Sequence, residues 1–351
     1  MPKLRALVVD DAVVMRRLLT EALQRDHTIE VAATASNGRI ALEKLARINP
    51  DVVTLDIEMP EMDGLATLRE LRKTHPHLPV IVLSAYTQRG ATETIAALAA
   101  GASDYLTKPS ASANVEETLA QLEKELLPKV RALCQRQPAA LPRPITTRPS
   151  RHPGLCPPVQ LICIGTSTGG PNALVDLFQA FTAAPGVPIA IVQHMPPMFT
   201  RMLAARLDSL PGPVRCKEAA EGDILEPGCA YLAPGGVHLA LARNATGRFV
   251  ARLLDTAPEN SCRPAVDVLF RTAANTPATI LGVVLTGMGQ DGLRGSEQVL
   301  EHDGQIIAQD QTSSVVWGMP GAVAQAGLAH VVLPLSGIAA EILHRSRTRL
   351  A

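Results

Sequence analysis

The chain has few aromatic residues, no net charge and no long apolar run. Aromatic residues make up 3% of its 351 residues, so a surface that stacks nucleic-acid bases is not expected. Lys+Arg and Asp+Glu both number 33, which argues against a basic surface for nucleic acid or anionic lipid. No apolar run reaches the ~18 residues of a membrane helix, and the charged N-terminus lacks a signal-peptide cleavage pattern. These absences predict a cytoplasmic protein without membrane insertion.

Metal-binding spacings of cysteine and histidine are also missing. None of the 6 Cys and 9 His forms a CxxC or HExxH pattern. The cysteines are scattered, several within apolar runs, which favours reduced thiols over a disulfide framework. The hydrophobic fraction is 46%, which is typical of a well-packed globular protein, and the length suffices for two domains.

The pattern of apolar runs divides the chain into three parts. Residues 1–125 alternate short strand-like runs with helical patterns, which predicts a parallel sheet covered by helices. Residues 126–158 continue the last helix out of this domain and then become rich in proline, which predicts an extended linker. From 159 to 348 the alternation resumes, so we expect a second, doubly wound and mostly parallel α/β domain.

Oxygen-bearing side chains follow several strand-like runs of the first part. ALVV ends in Asp10-Asp11, DVVTL in Asp56 and PVIVL in Ser84, while Lys108 follows a fourth run. Ligands gather at the carboxyl ends of parallel strands, so these groups should converge. Adjacent aspartates alone are often solvated caps, but this whole set favours a Mg²⁺ site where one carboxylate accepts a phosphoryl group.

The second part contains a serine in a glycine-flanked turn. Ser167 lies in GTSTG between the apolar run LICI and a helical pattern, a context that exposes a nucleophilic hydroxyl above a sheet edge. A Gly/Ser-rich turn or a phosphate-binding loop is the alternative for Ser167 taken alone. The sequence lacks both GxGxxG and GK[ST] at this point, which disfavours a nucleotide loop.

A base and an orienting acid are available in the same part. His194 follows PIAIVQ and Asp291 follows ATILGVVLTG, so one sheet edge could unite both with Ser167. The order Ser, His, Asp differs from the Ser, Asp, His order of α/β-hydrolases, so that fold is not indicated. The competing bases and acids in this part are His238, His302, Asp223, Asp255 and Asp267.

Residues 3–125 resemble the receiver domain of two-component response regulators, which implies a flavodoxin-like fold. The resemblance implies that Asp56 is the phosphorylated aspartate and that a histidine kinase is the phosphodonor. Other roles follow residue by residue: Mg²⁺ binding by Asp10, Asp11, Asp56 and the Glu58 backbone, and phosphate-linked switching by Ser84, Tyr105 and Lys108.

The second part resembles the methylesterase domain of chemotaxis protein-glutamate methylesterases. The shared segments are IGTSTGGP, QHMPPMFT, AYLAPGG, RPAVDVLF, LTGMGQDG and IIAQ…SSVVWGMP. The resemblance implies hydrolysis of glutamate methyl esters on chemoreceptors and slower deamidation of receptor glutamines, with no cofactor at the esterase site. It assigns the triad to Ser167, His194 and Asp291, with Thr168 and Met288 beside the oxyanion.

Two other functions compete with this interpretation. A DNA-binding output is common among response regulators, but no basic recognition helix is visible here. A non-enzymatic phosphorylation switch would not need the three triad residues together. For the enzyme, we expect the unphosphorylated receiver to cover the esterase cleft, so that an isolated second domain is the faster esterase.

Overall fold

A computed structural model describes residues 3–109, 114–134 and 158–347. The chain divides into two compact units, Met1–Pro138 and Ala139–Ala351. The predicted proline-rich linker ends at Pro158, and its residues from 135 to 157 lie outside the described residues. Among the described helices, none has the length and hydropathy needed to cross a membrane.

The first unit is a parallel sheet with strand order β2-β1-β3-β4-β5. Its strands are β1 (Leu4–Val9), β2 (Ile29–Ala35), β3 (Val52–Asp56), β4 (Val80–Ser84) and β5 (Asp104–Thr107). Its helices are α1 (Val13–Gln24), α2 (Gly38–Ile48), α3 (Gly64–Thr74), α4 (Gln88–Ala99) and α5 (Val115–Cys134). Every residue of β3 and β4 is buried, as expected for strands covered on both faces.

Local sequence explains where several of these helices begin. The side chains of Asn37 and Asp63 accept hydrogen bonds from backbone N–H groups in the first turns of α2 and α3. Thr87 caps α4 in the same way, accepting from the Gly90 N–H at 2.9 Å. This cap starts α4 at Gln88.

The predicted division at residue 125 falls inside α5, whose continuation beyond that residue was expected as an extension of the helix. Leu126 and Val130 are fully buried in the core of the first unit, together with Leu19 and Leu23 of α1. The apolar period beyond residue 125 therefore continues to face α1, and the described helix stays with the first unit to Cys134.

The second unit is built on a seven-stranded parallel sheet of order β14-β13-β12-β6-β7-β9-β8, with a separate hairpin β10-β11. Its strands are β6 (Leu161–Thr166), β7 (Ile189–Gln193), β8 (Arg215–Glu218), β9 (Cys229–Leu232), β10 (His238–Arg243), β11 (Phe249–Leu254), β12 (Ile280–Val284), β13 (Gln305–Gln309) and β14 (Val331–Leu333). Its helices are α6 (Gly170–Ala180), α7 (Phe199–Asp208), α8 (Val266–Ala274), α9 (Leu293–Glu301), α10 (Met319–Gln325) and α11 (Leu335–Ser346). The doubly wound parallel architecture predicted from the sequence is confirmed.

The order of strands locates the crevice of the second unit. From β6 the sheet grows through β7, β9 and β8 on one side and through β12, β13 and β14 on the other. The winding therefore reverses between β6 and β12, and such a switch point opens a crevice at the carboxyl ends of the strands. The hairpin and α8 close one face of the sheet around a core that includes Leu269 and Phe270.

The burial of α5 beyond residue 125 in the core of the first unit leads to a stability prediction. Leu126→Ala should lower the free energy of unfolding of a 1–134 fragment by about 2–5 kcal/mol, because it leaves a cavity in the buried α1–α5 contact. The exposed neighbour Lys124→Ala should change it by no more than about 0.5 kcal/mol. Urea denaturation measures both values, and equal effects would contradict the burial of Leu126 in the core of the first unit.

Candidate active site and phosphorylation site

Ser167 lies in a tight turn between β6 and α6. Its backbone N–H donates to the Thr286 carbonyl at 3.0 Å, and its own carbonyl accepts from the Gly170 N–H at 2.8 Å. Gly169 has a φ of 77°, a conformation that glycine adopts at little cost, so the chain can turn directly into α6. The serine therefore sits at the carboxyl edge of the sheet, in front of a helix N-terminus.

His194 occupies the matching position on the neighbouring strand. Gln193, the last residue of β7, pairs with Thr166, the last residue of β6, in parallel register. Ser167 and His194 are the next residues along strands that run about 4.8 Å apart. The Gln193 amide ties them together, donating to the Ser167 carbonyl at 2.9 Å and to the His194 carbonyl at 3.3 Å.

The imidazole of His194 contacts two side chains. Its Nε2 lies 2.8 Å from Oδ2 of Asp291, and its Nδ1 lies 3.5 Å from Sγ of Cys262. The His194 and Asp291 side chains are only 11% and 3% exposed. Within the described residues, the Ser167 hydroxyl makes no hydrogen bond, so the serine–histidine contact is not formed in this structure.

Backbone N–H groups surround the carboxylate of Asp291. Val266 donates to Oδ2 at 2.6 Å, and Asp267 and Gly292 each donate to Oδ1 at 3.0 Å. Burial alone would raise the pKa of Asp291, but the contact with His194 and these backbone donors lower it. The carboxylate is therefore kept ionised beside the imidazole.

The same contacts determine the titration of His194. Burial alone would lower the pKa of the imidazole, since it disfavours the charged ring. The hydrogen bonds and charges of Asp291 and Cys262 outweigh burial and raise the pKa of His194 to about 9. The free base is therefore the minor form at neutral pH.

In the described part of the chain, a backbone N–H group without an acceptor follows a residue that packs against Ser167. Within the described residues, the backbone N–H of Met288 donates no hydrogen bond. Gly287, just before it, packs so closely that an added Cβ would lie 2.9 Å from the Ser167 Cβ. The buried Thr168 is held by its carbonyl, which accepts from the Thr286 hydroxyl at 3.0 Å.

The two competing histidines are bound to backbone groups of their own surroundings. His238 is fully buried, with Nε2 3.0 Å from the Ala257 carbonyl and Nδ1 accepting from the Ala265 N–H at 3.1 Å. His302 is exposed at the end of α9, with Nδ1 2.9 Å from the Gln298 carbonyl. Both arrangements indicate structural roles.

The competing acids differ among themselves. Asp223 and Asp255 form ion pairs with a lysine and an arginine. Asp267 instead lies in the site: its backbone N–H donates to Asp291, and its Oδ1 accepts from the Gly292 N–H at 3.0 Å. Its position in sequence, early in α8, did not distinguish it from the other two acids.

Sequence reasoning did not connect two further residues with the contacts that they make in the site. Asn260 contacts the Asp291 carboxylate, and Cys262 contacts the His194 ring, both from the segment between β11 and α8. The motif RPAVDVLF begins at Arg263, just after them. Neither residue stands at a strand end, so the reasoning that found the other site residues could not reach them.

The predicted carboxylate pocket of the first unit is assembled around Lys108. Its Nζ lies 3.0 Å from Oδ2 of Asp10 and 2.7 Å from Oδ2 of Asp56. Asp10 and Asp56 are buried whereas Asp11 is exposed, and one oxygen from each of the three lies within 4.8 Å of the others. These oxygens are the hard ligands that Mg²⁺ prefers.

The electrostatics of this pocket fit a bound cation. Burial, together with the negative charge of Asp10, raises the pKa of Asp56 to about 6, although Lys108 acts in the opposite direction. The buried Oδ2 atoms of both aspartates have no partner with hydrogen-bond geometry in the described residues. Two crowded carboxylates beside one ammonium group therefore leave negative charge that a divalent ion would neutralise.

The remaining receiver residues flank this pocket. The Ser84 hydroxyl donates to the Gly90 carbonyl at 2.9 Å, and the Ser84 carbonyl accepts from the Lys108 N–H at 2.8 Å. Tyr105 is buried in β5, with its ring 5.5 Å from Nζ of Lys129. The backbone N–H of Glu58 donates to Oδ1 of Asp56 at 3.3 Å.

Comparison with known proteins agrees with both halves of this description. Residues 162–342 match the CheB methylesterase family, and residues 6–120 match the response regulator receiver domain family. The catalytic domain of the Thermotoga maritima CheB methylesterase, a crystal structure, is 39% identical with a TM-score of 0.51. That match covers 53% of this chain and 98% of the other.

Similarity to whole proteins extends over nearly the entire chain. A protein from Trichodesmium erythraeum is 48% identical over 357 residues, covering 98% of this chain and 99% of its own length. One from Nocardioides sp. is 48% identical over 355 residues, covering 98% and 96%. Both are named protein-glutamate methylesterase/protein-glutamine glutaminase. The chain therefore belongs to the CheB methylesterase family and is a protein-glutamate methylesterase/protein-glutamine glutaminase that carries a receiver domain.

Proposed function

We propose that the second domain hydrolyses receptor glutamate methyl esters with Ser167 as nucleophile, His194 as base and Asp291 as orienting acid. The observation that carries the proposal is the 2.8 Å contact between His194 and Asp291, one strand away from a half-buried serine in the turn after β6. The three side chains leave the carboxyl ends of β6, β7 and β12 at the switch point of the sheet.

The two ring nitrogens of His194 take different roles. Nε2 carries the proton shared with Asp291, which leaves Nδ1 to accept the proton of the Ser167 hydroxyl. The hydroxyl then has to replace the Cys262 thiol, which lies 3.5 Å from Nδ1. Hydrogen bonds to a catalytic base are often long before substrate binds, so a rotation of Ser167 completes the triad.

The reaction has two steps. Ser167 Oγ adds to the ester carbonyl while its proton moves to Nδ1 of His194, and that proton then leaves with methanol as the acyl-enzyme forms. Water next adds to the acyl-enzyme with the same base, releasing glutamate and restoring the hydroxyl. The Met288 N–H and the Thr168 backbone stabilise the oxyanion, and one such donor is worth about 10²–10³ in rate.

Glutamine deamidation uses the same groups. Ammonia is a poorer leaving group than methanol unless it is protonated as it departs, and the imidazolium of His194 supplies that proton. The raised pKa of His194 keeps this acid available at neutral pH. We therefore expect one site for both reactions, with the amide reacting more slowly.

We propose chemoreceptors as the substrates and the histidine kinase of the chemotaxis system as the phosphodonor. Both follow from membership of the CheB methylesterase family and from the receiver domain. Asp56 is the phosphoryl acceptor, Lys108 holds a phosphoryl oxygen, and Ser84 and Tyr105 respond to the new group. Asp10, Asp11, Asp56 and the Glu58 carbonyl would hold Mg²⁺, which when bound neutralises charge on the phosphoryl oxygens.

Replacing the nucleophile tests the proposed mechanism. Ser167→Ala should reduce methanol release from methylated receptor membranes by about 10⁴-fold or more, because no hydroxyl remains to form the acyl-enzyme. Cys262→Ala should still release methanol, since the thiol only contacts the base. The reverse result, an active Ser167→Ala and an inactive Cys262→Ala, would make the thiol the nucleophile and overturn the assignment.

The pH dependence of the esterase follows from the state of His194. Only the neutral ring accepts the serine proton, so kcat/KM should rise about tenfold per pH unit below a pKa of about 9 and level off above it. Cys262→Ala should move the inflection to lower pH, because that contact favours the charged ring. The pH profile and its shift are both measured from methanol release between pH 6.5 and 10. The rate with Ser167→Ala is subtracted to remove alkaline hydrolysis of the ester. A flat profile would contradict the proposal.

Phosphorylation of the receiver supplies a further test. Acetyl phosphate with Mg²⁺ should add one phosphoryl group to the wild type and accelerate methanol release, whereas Asp56→Asn should show neither effect. Removal of Mg²⁺ with EDTA should also prevent labelling. The exposed Asp51→Asn, which keeps an acceptor for the Arg5 N–H, is the matched control. Labelling of Asp56→Asn at the wild-type level would show that the acceptor is another residue.

A further inference from the structure

A two-residue turn between β11 and α8 carries side chains into the active site. The backbone groups of Glu259 and Cys262 exchange hydrogen bonds of 3.1 and 2.9 Å. The residues between them, Asn260 and Ser261, have φ angles of 53° and 62°. Positive φ at both central residues is the signature of a type I′ turn, which we call the 259–262 turn.

This turn is fixed from two sides. The Glu259 carboxylate pairs with the Arg271 guanidinium through contacts of 2.8 and 2.7 Å, and such paired contacts restrain both position and angle. The buried ring of His238 bridges the flanking segments, contacting the Ala257 carbonyl and accepting from the Ala265 N–H. These contacts offset the cost of holding a non-glycine residue such as Ser261 at positive φ.

The side chain of Asn260 joins two buried carboxylates. Its Nδ2 lies 2.8 Å from Oδ1 of Asp291 and 2.8 Å from Oδ2 of Asp267. An amide nitrogen has two N–H donors, so one is available for each acid. Asp291 and Asp267 are 2% and 1% exposed, so little water reaches these oxygens.

The two carboxylates differ in their electrostatic state. Burial, with the charge of Asp291 adding to it, raises the pKa of Asp267, whereas the contacts with His194 and the backbone lower that of Asp291. Two such groups side by side repel each other when both are ionised. The neutral amide of Asn260 lies between them. It is therefore well placed to favour the ionised form of Asp291 and to restrain its position.

We infer that Asn260 is a positioning residue for the esterase, an inference that rests on the triad proposed above. Its amide holds Oδ1 of Asp291, which leaves Oδ2 directed at Nε2 of His194. The asparagine does not touch the reacting atoms and acts through Asp291. The 259–262 turn thus supports the acid of the triad through Asn260 and contacts the base through Cys262.

The test uses three variants of the full-length enzyme. Asn260→Gly removes the amide and relieves the positive φ, so any loss is not due to backbone strain. Ser261→Gly is the matched control, because within the described residues the Ser261 side chain has no hydrogen bond. Asn260→Asp keeps the shape of the side chain and replaces its N–H donor with a third carboxyl group. This variant is measured in place of Asn260→Gly if the glycine variant folds poorly.

Asn260→Gly should lower kcat for methanol release by roughly 10- to 100-fold with KM little changed, the effect of losing a hydrogen bond to a charged group. The His194 inflection should move to lower pH, because Asp291 then stabilises the imidazolium less well. Asn260→Asp should lose more activity than Asn260→Gly. Ser261→Gly should keep both the wild-type kcat and the wild-type inflection.

Wild-type kcat and an unmoved inflection in either folded Asn260 variant would overturn the inference. A fall in kcat with an unmoved inflection would also overturn it, since that result indicates a structural role only. The proposed mechanism is tested separately: an active Ser167→Ala would refute the triad itself. An inactive Ser167→Ala beside a fully active Asn260→Gly would refute only the positioning role.

Discussion

The carboxyl edge of a parallel sheet is the constraint on which both sites depend. Parallel strands end at a common edge, and reversal of the winding opens a crevice there. In the first unit the crevice lies between β1 and β3, and Asp10 and Asp56 stand on either side of it. In the second it lies between β6 and β12, beside Ser167 and Asp291. Residues far apart in sequence are thereby brought within contact distance.

Both sites bury carboxylates, but they stabilise the charge differently. Asp291 accepts from three backbone N–H groups, an amide and an imidazole, so its pKa falls despite burial. Asp56 faces Asp10 and forms an ion pair with Lys108, and its pKa rises to about 6. Fixed donors favour the ionised form of the Asp291 carboxylate. The Asp56 pocket retains uncompensated negative charge, which suits a site that takes up a cation and a phosphoryl group.

His194, which we propose as the base of the esterase, lies between an acid and a thiol. Because Asp291 engages Nε2 and Cys262 engages Nδ1, the resting imidazole is protonated over most of the neutral range. In the mechanism that we propose, this arrangement corresponds to an enzyme at rest, in which Ser167 has yet to reach His194. An ester that binds in the crevice excludes water and places its carbonyl group above Ser167. Its binding can therefore bring the serine into contact with His194.

The sequence by itself determined the two domains, their parallel sheets and the strand-end residues, because apolar runs and the polar residues that follow them are local signals. Lys108, Asp56, Ser167, His194 and Asp291 were all found in this way. Tertiary structure alone decided that α5 stays with the first unit to Cys134, that Asp267 lies beside Asp291, and that Asn260 and Cys262 contact Asp291 and His194. The contacts of Asn260 and Cys262 depend on a turn that Arg271 and His238 hold in place. No local pattern of residues encodes where such a turn will meet a distant sheet edge.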